Sequence, residues 1–427
     1  MATKSIVFII LITLSRVCCG QSGFEKYFED KSLRIDYMMA GDFDSQAVFF
    51  KDIKEEPFWG GSTSNLVDRF GYGNYCFELY DLKSGELIYS KGFNSLFQEW
   101  QSTAEAKEIK KAFYQVNVMP YPKNSVRFVL KSRKWDGNRE KIWEYTIDPT
   151  NYFITEEKPQ AIPFTKIMGE GDPATSVDIA FIAEGYTAKE MDKFKADAKR
   201  VAGYLLDVPP FDRYADRFNI YAIESVSEES GTDIPGENIY RNTVVNTTFY
   251  TFDVDRYLTT FDIKSLHDIS ANVPYDQIFV LINTDKYGGG GFYNYYSSCS
   301  ADNALSYEVS SHEFGHGFAG LADEYYSSEV AYDGYYNLEV EPWEPNITTL
   351  VHFHEKWENM LSDTVPVPTP RSKKYEGKIG VFEGGGYSAK GIYSPAQDCK
   401  MKSNRMKHFC HVCEKAVEEV IRFTIGE

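Results

Sequence analysis

His312–Tyr325 reads HEFGHGFAGLADEY. The chain has 7 histidines among 427 residues, and this stretch sets two of them four positions apart with a glutamate after the first. On a helix, positions four apart lie on one face, one turn from each other. Two imidazoles so placed can both reach a single zinc ion at about 2.0–2.1 Å. Glu313 lies beside them around the helix, where its carboxylate can sit beyond the metal and take a proton from water. His312, Glu313 and His316 therefore fill the fixed positions of an HExxH pattern, each with a physical role.

The residues around the pattern fit it. Asn303 can cap a helix running through ALSYEVSSHEFGHGFA. Leu305 and Val309 share the histidine stripe, and Phe314, Phe318 and Leu321 lie elsewhere, so the helix is apolar on more than one side and reads as buried. Buried imidazoles need partners, and a metal supplies one. A catalytic zinc needs a third protein ligand and one open position. Gly320 can end the helix in a left-handed conformation and turn the chain back. Asp323 then arrives as third ligand, with Glu324 as its rival and His352, His354 or a C-terminal histidine as the remaining alternatives. Such a set suits peptide-bond hydrolysis, with Glu313 taking a proton and passing it to the leaving amine. A non-catalytic surface protein that binds glycans or host proteins around a structural metal would have no use for Glu313. A zinc hydrolase acting on another bond, such as a deacetylase or amidase, would differ in substrate.

A chain of 427 residues exceeds one ordinary core, which predicts two domains. Before residue 150 short alternating or aromatic runs recur, including SLRIDYMMAG, NYCFELYDL, SVRFVLKS and KIWEYTID. They predict an N-terminal β-sandwich accessory domain over residues 21–153, with Ala104–Phe113 as its helical segment. ITEEKPQAIPFT, with two prolines and no period, reads as a linker over 154–165. From 166 to 427 the pattern changes. VDIAFI, RFNIYAIES and YDQIFVLIN read as strands, and Thr187 with Glu190 forms a capping box opening a helix. The fold class is α+β and multidomain, with a β-sandwich followed by an α/β domain. Gly288–Gly291 reads either as a flexible loop or as the bent start of an edge strand along a cleft.

A formal charge of −18 argues against nucleic acid as a partner. Lys4, the apolar run Ser5–Leu14 and the small residues after it predict a secretory signal over 1–20, giving a periplasmic, cell-surface or extracellular protein. No later stretch is apolar enough to span a membrane, and a lipid anchor at Cys18 or Cys19 is the less favoured alternative. Cleavage after Gly20 leaves Cys76, Cys299, Cys399, Cys410 and Cys413. Export favours a disulfide among the last three over a second, structural zinc held with help from His408 or His411.

HEFGHGFAGLADEYY, together with KWENMLSDTVPVPTP, GVFEGGGYSAKGIYSP and DCKMKSNRMKHFCHVC, resembles the IgA-peptidase-type zinc proteases, the igalysin branch of the metzincins. The resemblance covers most of the mature chain and is strongest from about Phe292 to Cys413. It implies a metzincin-like catalytic domain with a twisted sheet, a backing helix, the active-site helix and a methionine turn, for which Met401 is the best match and Met406 the alternative. It also implies an edge strand after the glycine run to which an extended peptide adds. Tyr393 resembles a family tyrosine, implying oxyanion stabilisation, with an ordinary packed tyrosine as the alternative. The substrate implied is a protein or peptide, immunoglobulin A by the family's name alone. In the general metzincin pattern the glycine stands three and the third ligand six after the second histidine. Here Gly320 stands four and Asp323 seven after His316, so the helix is one residue longer.

Overall fold

The computed structural model describes residues 23–156, 161–326 and 334–427. The expected leader over 1–20, with Cys18 and Cys19, lies outside them. The chain opens with α1 (Gly23–Tyr27) and β1 (Phe28–Gly41), followed by β2 (Gln46–Glu56), β3 (Tyr75–Asp81) and β4 (Leu87–Phe93). After α2 (Leu96–Gln101) come β5 (Lys111–Pro122), β6 (Val126–Arg133), β7 (Arg139–Ile147) and the two-residue β8 (Thr155–Glu156). These strands form two four-stranded sheets, in the orders β5-β1-β2-β8 and β4-β3-β6-β7. Alternation drives the assembly: Leu33, Ile35, Tyr37 and Met39 all point into one core, where Tyr37 meets Trp143 of the other sheet at 5.5 Å.

The expected helix over Ala104–Phe113 does not form. Glu105–Lys107 makes a single 3₁₀ turn, and by Lys111 the chain has already paired with β1. Phe113 gains a buried place against Phe97 and Trp100 of α2, and this tertiary packing outweighs the local helix preference of the lysine- and glutamate-rich segment.

The second half is built on a six-stranded sheet in the order β13-β14-β12-β10-β11-β9. Its strands are β9 (Phe164–Met168), β10 (Val177–Glu184), β11 (Phe218–Ile223), β12 (Gln277–Ile282), β13 (Gly289–Phe292) and β14 (Tyr296–Ser300). The inner pairs β10/β11, β10/β12 and β12/β14 are parallel, and the two edges are antiparallel. Every residue of β10, β11 and β12 is buried, as a parallel sheet covered on both faces requires. Val177, Ile179, Phe181 and Ala183 face α3 (Met191–Leu206), α5 (Ser306–Ala319) and α6 (His411–Thr424). Ala180 and Ile182 face α4 (Ile263–Ser270) and the core of the β-sheet half. The helix α3 follows the Thr187–Glu190 capping box, in which the Thr187 N–H donates to Glu190 Oε2 at 2.9 Å.

The two halves are joined by charge as well as by apolar contact. Arg34, fully buried on β1, donates to Asp36 at 2.7 Å and to Asp268 on α4 at 2.7 Å. Asp36 lies on the same strand as Arg34, so Asp268 supplies the part of this ion pair that crosses between the halves.

The glycine run forms an edge strand, not a free loop, and its glycines are there for α5. A Cβ on Gly291 would stand 2.2 Å from the Glu313 carbonyl oxygen and 2.9 Å from His316 Cβ. A Cβ on Gly289 would stand 2.8 Å from Val309 and 2.9 Å from Glu313 Cγ. The strand thus lies directly on the helix that carries the histidines. Gly291→Ala should therefore lower stability by at least about 1–3 kcal/mol. Gly203→Ala, on α3 with nothing near its Cβ, should instead stabilise by about 0.5–1 kcal/mol. Thermal unfolding of both variants checks the contrast, and equal effects would contradict the packing described.

Candidate metal centre

Asn303 Oδ1 accepts from the Leu305 N–H at 2.9 Å and leads into α5. The helix ends at Gly320, whose φ of +62° is left-handed, with the Gly320 N–H donating to the His316 carbonyl at 3.1 Å. Reversal there sends Ala322–Tyr325 back past the histidines. Asn346 holds Ala322 through both its amide groups, at 2.7 and 2.9 Å. The Asp323 carbonyl accepts from Gly386 and the Glu324 N–H donates to Met401, each at 2.8 Å.

This places one Asp323 oxygen against both imidazoles. Asp323 Oδ1 lies 3.1 Å from His312 Nε2 and 3.4 Å from His316 Nε2, and the two Nε2 atoms are 3.1 Å apart. Three donors on a tetrahedral ion with bonds of about 2.0–2.1 Å would stand about 3.3 Å from one another. Each histidine turns its other nitrogen to a backbone carbonyl: His312 Nδ1 donates to Lys400 O at 3.0 Å and His316 Nδ1 to Leu321 O at 2.5 Å. With Nδ1 engaged in this way, each ring aims Nε2 inward, the orientation of a metal-ligating histidine. Asp323 Oδ1 is buried and accepts no hydrogen bond, whereas Oδ2 accepts from the Tyr387 hydroxyl at 2.7 Å. An orphaned buried carboxylate oxygen facing two ring nitrogens fits a divalent cation.

The electrostatics agree. Burial would raise the Asp323 carboxyl, but the neighbouring imidazoles hold it well below the usual carboxylate range. Burial would lower His316, but Asp323 and Glu313 outweigh it and raise it to about 9, so protons compete with a metal for this site. Glu313 is raised by burial, against the pull of the two histidines.

These groups line a cavity of about 370 Å³ that also takes residues from both halves of the chain. Glu99 of α2 lines it, accepts a hydrogen bond from Tyr257, and is raised to about 7 chiefly by burial. Sequence reading found no chemical role in the β-rich half, because Glu99 reaches the cavity only through the docking of the two halves. Tyr387 was also missed. It sits at the turn between β15 (Phe382–Gly385) and β16 (Ser388–Ser394), with φ of +65° following Gly386 at +53°. The run EGGGY holds the signal for such a turn.

Tyr393 does not line this cavity. It pairs with Thr348 through its backbone and its ring packs in the cluster of Phe353, Trp357 and Val412. Met401 is fully buried beneath α5, where a Cβ on Gly315 would stand 3.1 Å from its Sδ, whereas Met406 is exposed. His352 caps and His354 lies within a 3₁₀ turn, Phe353–Glu355, and neither lines the cavity. Glu324, the rival third ligand, points away from the histidines. Its carboxylate gathers with Cys399, Cys410 and Cys413, all ligand atoms lying within 4.8 Å of one another. None of the described cysteines forms a disulfide, contrary to the pairing favoured from export. The help expected from His408 or His411 is absent too, since both are exposed and glutamate takes that place.

The sequence profile of the family described as IgA Peptidase M64 matches residues 165–378 and 371–421, and that described as Peptidase M64 N-terminus matches residues 23–144. No curated protein matches the chain. The two profiles together span most of both halves, α5 included and β8 excepted, and the chain belongs to the IgA peptidase M64 family of metallopeptidases.

Proposed function

We propose that the chain is an exported zinc endopeptidase with a metzincin-like catalytic half, in which His312, His316 and Asp323 hold the metal and Glu313 is the general base. The orphaned Asp323 Oδ1, aimed at two inward ring nitrogens beside an open cavity, carries this reading. Zinc, when bound, supplies Lewis acidity that lowers the pKa of water and polarises a carbonyl.

The chain's own residues do the rest. Lys400 O and Leu321 O fix the tautomer and tilt of the two rings, and the Tyr387 hydroxyl fixes the carboxylate. Glu313 takes a proton from water and returns it to the departing amine, a task helped by burial that moves its pKa toward neutrality. Met401 packs under the helix and holds no ligand role. Tyr387, unlike Tyr393, lines the cavity and holds the Asp323 carboxylate.

An extended substrate has one edge to pair with. Gly289 already uses its outer edge, since the Leu258 N–H donates to Gly289 O at 3.3 Å. Alternation turns the N–H and C=O of Gly291 to the same edge, inside the cavity, so Gly291 is where peptide backbone pairs. The family's name makes immunoglobulin A one protein to include among the substrates tried. The N-terminal leader sequence supports export, and no helix among the described residues is long and apolar enough to cross a membrane.

The test is cleavage of a mixed peptide library, read by mass spectrometry, with wild type and Glu313→Ala at equal zinc content. Wild type should cut, and the variant should lose about 10²–10⁴-fold in rate while keeping its metal. A fully active variant would remove Glu313 from the mechanism. Absence of cleavage by zinc-loaded wild type, with immunoglobulin A also intact, would contradict peptidase activity in this chain.

Glu99→Gln makes a separate prediction about the β-rich half. Glu99 touches the cavity but no metal-ligand atom, so the change should move KM, and cleavage-site preference, more than kcat. Steady-state kinetics on one good peptide decides it, and unchanged KM and site preference would make Glu99 a packing residue only.

A further inference from the structure

A second cluster of ligand-type side chains lies outside the cavity, on the far side of Asp323–Glu324. The two neighbours point to different places: Asp323 faces the histidines and Glu324 faces the start of α6. Its carboxylate is wholly buried. Oε1 accepts from Asn346 at 3.1 Å and lies 3.2 Å from Cys413 Sγ, while Oε2 has no hydrogen-bond partner. A buried carboxylate with one orphaned oxygen among three thiols is costly unless something binds it.

The sulfurs stand as ligands would. Cys399 Sγ and Cys413 Sγ are 3.8 Å apart. In a tetrahedral site with zinc–sulfur bonds of about 2.3 Å, two sulfurs stand about 3.8 Å apart. The Cys410 N–H donates to Cys399 Sγ at 3.2 Å, a bond that stabilises a thiolate. The four side chains come from three places: the return segment after α5, the Met401 segment, and the start of α6. They supply three soft sulfurs and one oxygen, four donors with no place left for water, the mark of a structural zinc site.

We propose that Cys399, Cys410, Cys413 and Glu324 bind a second divalent ion of the zinc type, structural in role and independent of the ion at His312, His316 and Asp323. It ties the segment carrying Asp323 to the Met401 segment and to α6. Binding displaces the thiol protons to solvent and changes no oxidation state.

The test loads the metal-stripped full chain, purified without reductant, with cobalt(II) alone. Wild type should take up two ions and show the charge-transfer absorption of a thiolate–cobalt bond. Cys410→Ser should take up one ion and lose that absorption. His316→Ala should also take up one ion but keep it. Glu324→Gln, nearly equal in shape, should weaken uptake at the sulfur site and guards against a cysteine variant that fails to fold. Wild type without the thiolate absorption, or with Cys399 and Cys413 joined as a disulfide by intact mass, would overturn the proposal. A wild type that shows the absorption but binds only one ion would instead tell against the zinc assigned to the histidines.

Discussion

One buried carboxylate oxygen, Asp323 Oδ1, stands within 3.4 Å of two imidazole nitrogens, and much of the surrounding structure serves to keep it there. Two ring nitrogens and a carboxylate oxygen, all metal donors, converge there in a buried place. The arrangement persists because each group is held from behind: the rings by backbone carbonyls, the carboxylate by Tyr387, and the segment by Asn346, Gly386 and Met401. Convergence built from four separate segments is what a metal centre needs and what a solvated acidic turn would lack.

The sheet and the N-terminal half follow from the same requirement. Glycines of β13 let α5 lie on the sheet edge, which turns one face of the histidine helix toward an extended groove. The core beneath is filled by Phe314, Phe318, Phe211 and Met401, leaving the histidine face as the helix's less buried side. Packing of the β-sheet half on the opposite face of the six-stranded sheet then closes the cavity with Glu99. The shared core and the Arg34–Asp268 contact join the halves, so a residue about 200 positions before the helix becomes part of its surroundings.

Local signals carried the parts of this that are local. His312, Glu313 and His316 were readable because helical spacing alone puts them together, and Gly320 because only a left-handed end suits that turn. The strands of the central sheet were readable from their unbroken apolar runs. The segment Ala104–Phe113 misled because strand pairing with β1 decides it, and that partner is about 70 residues away. The offset from Gly320 favoured Asp323 as ligand and left Glu324 as its rival. A single residue of rotation separates them, and the structure sends one to the histidines and the other to the cysteines. Tyr387 and Glu99 were illegible for the same reason: each enters through a long-range contact that no local period records. The preference for a disulfide came from compartment alone and had no access to Glu324.

X-ray diffraction from crystals of the zinc-loaded chain, with anomalous differences measured at the zinc edge, tests the arrangement most directly. One peak should fall between His312 Nε2, His316 Nε2 and Asp323 Oδ1, with Glu313 beside it and bound to nothing. A peak ligated by Glu313, or by Glu324 in place of Asp323, or the absence of any peak on α5, would contradict the account.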